Sequence, residues 1–411
     1  MKNTIRADAE KIIAGSIAAV LPDTAVKKAL KGIEFPGRVI LVAIGKAAWQ
    51  MARTASAELG ERIDSGIVIT KYDHVKGEIP GVVCRAAGHP VPDRNSFSAT
   101  KEALALTAGL SETDTVLFLI SGGGSALFES PLCSEAALSD ITGQLLACGA
   151  DIVEINTIRK RLSSVKGGRF AEHCAPARMM TIILSDIVGD PVDMIASGPA
   201  CPDSSTCADA IKIVKKYGLK MPEDTLVLLS RETPKALDNV EILITGSVRE
   251  LCRAAAEECE VLGYRALILT DHLQCEAKDA GSFLGSIALT HSAVAVPTAY
   301  IAGGETVVHL RGKGKGCRNQ ELALAAAEQI AGLDNVVVFS LGSDGTDGPT
   351  DAAGGIVDGS TAEKLASQGL SIAGVLAEND AYNALATADG LIITGPTGTN
   401  VNDVAIVLIG K

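Results

Sequence analysis

Aromatic side chains make up only 3% of the 411 residues, with a single tryptophan among them. That argues against the base-stacking platforms that hold single-stranded nucleic acid. A bound purine would rest on aliphatic side chains and backbone. Positive charge is also short. The 37 Lys and Arg against 49 Asp and Glu leave a net charge of −12, which speaks against general nucleic-acid binding. No apolar run approaches the roughly 18 residues of a membrane span. The start, "MKNTIRADAEK", carries charges throughout and lacks an apolar signal core. The ten cysteines form no CxxC pair and show no regular spacing, so neither a zinc site nor a disulfide framework is indicated. A reducing cytoplasm is the simplest home.

Several motifs are missing too. No GxxxxGK[ST] occurs, which excludes a P-loop enzyme. No GxGxxG follows a strand with an acid about 20 residues on, which weakens a dinucleotide-dependent reading. There is no GxSxG elbow and no HExxH. The six histidines, His89 in "GHPVPD" among them, lack metal-ligand spacing, and most read as structural.

What is present is alternation. Short Val- and Ile-rich runs such as "RVILVAIG", "SGIVIT", "TVLFLI" and "MMTIILS" end at Gly, Ser or Asp and give way to Ala-rich stretches. This pattern predicts buried parallel strands joined by helices. A second series begins near Asp238, where "PTAYIAGGETVVHLRG" suggests two strands turning at Gly303-Gly304. "GLIITGPTGTNVNDVAIVLIG" suggests a closing strand pair. The length exceeds the ~250–300 residues that one core usually serves. Two α/β domains follow, 1–235 and 236–411, divided near the polar stretch "LSRETPKALDN".

Ligands of open α/β sheets gather at the carboxyl ends of strands. There the sequence places "SGGGS", Ser121, Gly122, Gly123, Gly124 and Ser125. Consecutive glycines can aim N–H groups into one concavity, with the hydroxyls as further donors; a tight turn is the plainer alternative. Lys46, in "AIGKAAWQMA", falls at the first turn of a predicted helix, where a cation opposes the dipole unless it shares a bound anion. "INTIRKRLSSVKGGRF" gathers Arg159, Lys160, Arg161, Lys166 and Arg169, either a solvated face or ligand contacts. Asp186 follows its strand directly, as a cap or as an acceptor for a hydroxyl nucleophile. "RGKGKGCRNQE" sets Lys313, Lys315 and Arg318 among glycines before a helix, which suits phosphate oxygens. Asp344, Asp347 and Asp351 in "GSDGTDGPTDAAGG" do not match the Ca²⁺-loop spacing. Asp344 and Asp347 are candidates for a Mg²⁺ shell, with turn and cap chemistry as the alternative. Anion loops in both halves and a lone strand-end acid suit phosphate transfer across a cleft between the domains.

These blocks carry a family resemblance. "GKAAWQMA", "GHPVPD", "LISGGGSAL", "INTIRKRLSSVKGGR", "LSDIVGDP", "IASGP", "GGET", "RGKGKGCRNQELALA", "GSDGTDGPTDAAG", "AENDAY" and "TGPTGTNVND" run from about Gly45 to Asp403. The sequence resembles the glycerate 2-kinase family, whose C-terminal part is called the MOFRL domain. The resemblance implies a larger Rossmann-like parallel-sheet domain, a smaller mixed MOFRL-type domain, and transfer of the ATP γ-phosphoryl group to the 2-hydroxyl of glycerate with Mg²⁺. It implies catalytic roles for Lys46, Asp186 and Arg318. The Ser121–Ser125 loop, Arg159, Lys166, Lys313 and Lys315 would then hold phosphate or the glycerate carboxylate. Cys317 departs from the family's usual glycine, and a Cβ there forbids easy positive φ. Some members carry the label hydroxypyruvate reductase. A kinase for a related sugar acid and a non-catalytic sensor of phosphorylated acids are further alternatives. Small molecules are the expected partners, with no nucleic acid and no membrane; a homo-oligomer is compatible with all of this.

Overall fold

The computed structural model describes residues 2–293 and 295–410, with side chains from Ile5 onward. Two six-stranded sheets organise the chain. The first contains β1 (Val39–Ile44), β2 (Ile63–Lys71), β3 (Val82–Ala87), β4 (Thr115–Ile120), β5 (Arg178–Leu184) and β6 (Val240–Gly246). Their order is β3-β2-β1-β4-β5-β6. The pairings from β3 through β5 are parallel, and β1 runs in step with β4 from Val39 against Thr115 to Ile44 against Ile120. "VILVAI" and "TVLFLI" are buried at every position, as strands covered on both faces must be. The chain builds outward from β1 in one direction and from β4 in the other. The crevice beyond the carboxyl ends of these two strands is therefore the topological switch point, where α/β sheets bind ligands.

The second sheet contains β7 (Arg265–Leu273), β8 (Thr298–Gly304), β9 (Val336–Gly342), β10 (Gly354–Asp358), β11 (Leu391–Ile392) and β12 (Asp403–Ile409), ordered β11-β10-β9-β12-β8-β7. Only the β7–β8 pairing is parallel. Alternation along β9 and β12 feeds two cores. Val336, Val338, Ala405 and Val407 pack with the helices Ala277–Thr290 and Arg318–Gln329. Val337, Phe339, Val404 and Ile406 pack with the helices Lys2–Ala19 and Val248–Val261.

Two expectations need correction. Gly303-Gly304 is no hairpin turn, because β8 runs through both glycines. A Cβ on Gly303 would lie 2.3 Å from Cys252 Sγ and one on Gly304 2.2 Å from the Leu273 carbonyl, so close approach explains them. The closing strands do not pair with each other. β12 lies between β9 and β8, and β11 pairs with β10. The chain also divides into two compact units, each built from more than one stretch of sequence. One compact unit comprises 26–184 and 190–245, and the other 1–25, 185–189 and 246–411. β6 is needed to extend the first sheet, and the N-terminal helix buries Ile5, Ile12 and Val20 in the second unit's core.

Candidate active site

The carboxyl ends of β1 and β4 are tied together by the residues that the glycine-rich loop brings. Ser121 N donates to the Ile44 carbonyl at 3.0 Å, Lys46 N to the Gly122 carbonyl at 2.9 Å, and Ala47 N to Ser121 Oγ at 3.0 Å. Lys46 precedes the helix Ala48–Leu59 by two residues, ahead of the N-cap Ala47. Its carbonyl accepts from His74 Nδ1 at 2.9 Å, so Nδ1 carries a proton and fixes that ring. Gly123 has φ +86, and a Cβ there would lie 2.9 Å from the His89 ring and 3.3 Å from Lys46 Cγ. Lys46 and His89 thus close over the Gly123 backbone, a space only glycine leaves open. The amides of Gly122, Gly123 and Gly124 have no partner among the described residues. Burial, then Lys46, Lys71 and His74, hold the His89 pKa below the usual histidine range.

The hydroxyls flanking the glycines are not the free donors expected. Ser121 is buried, and its Oγ reaches the Ile44 carbonyl at 3.3 Å. Ser197 Oγ donates to Asn156 Oδ1 at 2.8 Å, so Ser125 Oγ must donate to Ser197 Oγ at 3.1 Å. Ser125 is left with lone pairs, not a proton, for a ligand.

The basic segment divides. Lys166 is fully buried; its Nζ donates to the carbonyls of Ser125 (2.8 Å) and Phe128 (3.0 Å) and pairs with buried Glu129 at 3.4 Å. Burial pulls its pKa down to about 8. It holds the turn after the glycines, with its ammonium engaged by two carbonyls and a carboxylate of the protein. Arg159 Nη2 joins it on the Ser125 carbonyl at 3.1 Å. Lys160 is buried against Asp193 and Asp203, and Arg161 against Asp203, Ser205 and Glu232. "KRL" therefore supplies structural ion pairs, not a solvated face.

In the other unit, Arg318 opens its helix and is gripped by Asp403, with Nε donating to Oδ2 at 2.5 Å and Nη2 to Oδ1 at 3.2 Å. These carboxylate bonds hold its pKa above the ordinary arginine value against the effect of burial. Cys317 has φ −151, an extended conformation open to any residue, so no positive φ is required there. Asp347 accepts from Gln320 N at 2.9 Å and Asn319 Nδ2 at 3.4 Å, and burial raises its pKa to about 7. Both of its oxygens are engaged by the helix start. Asp344 Oδ1 accepts from Thr346 N and Oγ1 at 2.9 and 3.1 Å. Among the described residues no three His, Cys, Asp or Glu side chains cluster as metal ligands. Lys313 and Lys315 are exposed. The Lys315 ammonium lies 3.8 Å from the Tyr382 ring centroid. The glycines between these lysines have a packing cause. A Cβ on Gly312 or Gly314 would fall 2.2–2.6 Å from the Glu378 carbonyl oxygen. Asp186 is half-buried, two residues beyond the end of β5.

Residues 8–230 match the family described as a domain of unknown function, DUF4147, and residues 298–403 match the MOFRL family. A D-glycerate 2-kinase of Thermotoga maritima is 52% identical over 405 residues, covering 97% of this chain and 97% of its own. The chain belongs to the glycerate 2-kinase family. A second relative, a glycerate 2-kinase of Pyrococcus horikoshii, is 43% identical over 397 residues, 92% of this chain and 89% of its own. The crystal structure of a T. maritima glycerate kinase matches with a TM-score of 0.95 and 50% identity, covering 99% of this chain and 100% of that one. No helix among the described residues is long and apolar enough to cross a membrane.

The family's blocks also hold residues that spacing alone did not single out. His89 stands in "GHPVPD", Glu305 in "GGET" and Asp403 at the end of "TGPTGTNVND". His89 reaches Gly123 and Lys46, while Glu305 and Asp403 reach Arg318. Membership in a motif block was the available signal for each.

Proposed function

We propose that this protein is a kinase that transfers the γ-phosphoryl group of ATP to the 2-hydroxyl of glycerate, giving 2-phosphoglycerate and ADP. The observation that carries this reading is the switch-point loop. Lys46 packs beside Gly123, in a loop of three glycine amides without partners among the described residues, in a chain 52% identical over 97% of its length to a D-glycerate 2-kinase. Phosphoryl transfer has a loose transition state, so catalysis is mostly positioning and charge stabilisation. The Gly122–Gly124 amides hold phosphate or carboxylate oxygens, and Lys46 and Arg318 offset charge on the transferring group. Asp186 orients the acceptor hydroxyl and takes its proton late.

Mg²⁺ would accompany the nucleotide and supply charge neutralisation at the phosphate oxygens. Asp347 is the weaker candidate for its ligand, since it is buried and each of its oxygens already accepts an N–H from the helix start. Asp344 fits better, because only Oδ1 is engaged by Thr346. The ten cysteines are all free thiols, which suits a reducing compartment such as the cytoplasm.

The test is a coupled ADP-release screen over small 2-hydroxy acids, with product regiochemistry read by phosphorus NMR. Glycerate should be the best acceptor and C2 the site of phosphate. NADH oxidation with hydroxypyruvate and no ADP release would instead establish a reductase, and a better acceptor among larger acids would name a sugar-acid kinase. Binding of phosphorylated acids without ATP turnover would leave a sensor.

A further inference from the structure

Arg318 has five N–H donors, and three are spent inside its own unit. Nε and Nη2 go to Asp403, and Nη1 donates to Glu305 Oε1 at 3.2 Å. The two carboxylates are not equivalent. Asp403 begins β12, a strand paired on both edges, and its side chain is only 8% exposed. It grips the guanidinium side-on with both oxygens. Glu305 lies one residue beyond β8, with its side chain 46% exposed and a single bond to Arg318. An exposed single ion pair contributes little and is screened, whereas losing one member of a buried pair strands a charge.

We infer that Asp403 is the positioning residue for Arg318, and that Glu305 is a placeholder on Nη1 which an oxygen of a phosphate-class anion displaces. The side-on grip uses Nε and one N–H of Nη2, so Nη1 and the other N–H of Nη2 form a fork suited to two oxygens of one phosphate once the Glu305 contact gives way. The surroundings hold that fork still. A Cβ on Gly342 would fall 3.3 Å from Asp403 Oδ1, so the glycine leaves room for the carboxylate. From the other side Asp347 binds the amide of Gln320 and the side chain of Asn319, fixing the two residues after Arg318. An arginine fixed by a buried carboxylate keeps its direction when the exposed partner leaves, which a guanidinium held only by Glu305 would not. The inference rests on the kinase reading only in taking the anion to be a phosphoryl group.

The test uses the full-length protein and inorganic phosphate at constant ionic strength, with binding followed by calorimetry and by ¹⁵N NMR of the Arg318 side chain. In the wild type the Nε–H should exchange slowly, and phosphate should move the Nη signals far more than Nε. Glu305→Gln should tighten phosphate at least three-fold. Asp403→Asn should weaken phosphate at least five-fold and lower kcat for glycerate phosphorylation at least thirty-fold, with KM within three-fold. Phosphate affinity unchanged or weaker in Glu305→Gln, or no phosphate binding by either form, overturns the placeholder. An Asp403→Asn variant that keeps more than a third of wild-type kcat, or a rapidly exchanging wild-type Nε–H, overturns the positioning role. If Asp403→Asn does not fold, the wild-type signal and Glu305→Gln still decide. Absence of ATP turnover in the wild type would sink the kinase reading, while the phosphate arms would still judge this one.

Discussion

Changing Gly123 to Ala adds one methyl group where the structure leaves no room for it. Gly123 has φ +86, and the left-handed conformation alone costs an alanine about 1–2 kcal/mol. The new Cβ would stand 2.9 Å from His89 Cδ2 and Nε2 and 3.3 Å from Lys46 Cγ. Lys46 cannot retreat as a whole, because its N–H is bonded to Gly122 and its carbonyl to His74. The His89 ring and the Lys46 side chain must therefore swing outward, and the total destabilisation should reach about 2–4 kcal/mol. A misplacement near 1 Å at a reacting centre costs on the order of a hundred-fold in rate. Gly32 provides the control. It has φ +76 with no atom within 4 Å of the added Cβ, so Gly32→Ala should show the backbone cost alone, about 1–2 kcal/mol, with normal activity. Urea unfolding and ADP release with glycerate, run on both variants, separate the two effects. Turnover by Gly123→Ala within three-fold of wild type would refute the account of Lys46 and His89 as one wall of the site.

Lys46→Ala should leave the fold intact and cut turnover by more than ten-fold, a loss above ~1.4 kcal/mol; a smaller loss removes Lys46 from the phosphoryl group. Asp186→Asn should lower kcat with the KM for ATP little changed, and loss of ATP binding with kcat kept would place Asp186 on the nucleotide. Asp347 should make stability fall with rising pH. Burial lifts it from 3.8 to about 7, so between those values the native protein keeps a proton that the unfolded chain has released. The slope amounts to at most on the order of 4 kcal/mol across the window, and Asp347→Asn should flatten it in denaturation curves taken from pH 4 to 8. Lys166→Met should destabilise by about 3–5 kcal/mol by leaving buried Glu129 with only its 3.8 Å contact to Arg159, with Glu129→Gln in the same chain recovering at least half. No recovery in the double variant would mean that the Ser125 and Phe128 carbonyls, not the charge pair, are what Lys166 serves.

The first sheet was legible because burial on both faces writes itself as unbroken apolar runs, and Ser, Gly or Asp at their ends marks where a ligand could lie. "TVLFLI" and "VILVAI" needed nothing beyond their own residues. The second sheet was harder. β8 contains Gly303 and Gly304 inside a strand, and their cause is Cys252 and Leu273, which lie far away in the sequence. Local rules read such a pair as a turn. The make-up of the two compact units is hidden for a similar reason. Nothing within "NTIRADAEKIIAGSIAA" says that its apolar side packs against a helix some 240 residues later.

The two glycine-rich basic loops show how far composition reaches and where it stops. Both place lysine among glycines close to a helix, and both were read as anion sites. At Gly123 the backbone has positive φ, His89 and Lys46 leave no room for a side chain, and the glycine amides have no partner among the described residues. Around Gly312 and Gly314 no positive φ occurs; Gly314 N donates to the Glu378 carbonyl at 2.8 Å, and Asn379 Oδ1 accepts from Arg311 and Gly312. Those glycines let two strands of loop lie against each other. The same contrast bears on Cys317, where the resemblance leads us to expect glycine. Its φ of −151 asks nothing special of it, and its sulfur fills space left by Gly348, whose Cβ would lie 2.8 Å from Cys317 Sγ. At φ +60 it is Gly348, not position 317, that must lack a side chain. Arg318 thus keeps its place with cysteine before it, because its direction comes from Asp403 and not from the loop that leads to it.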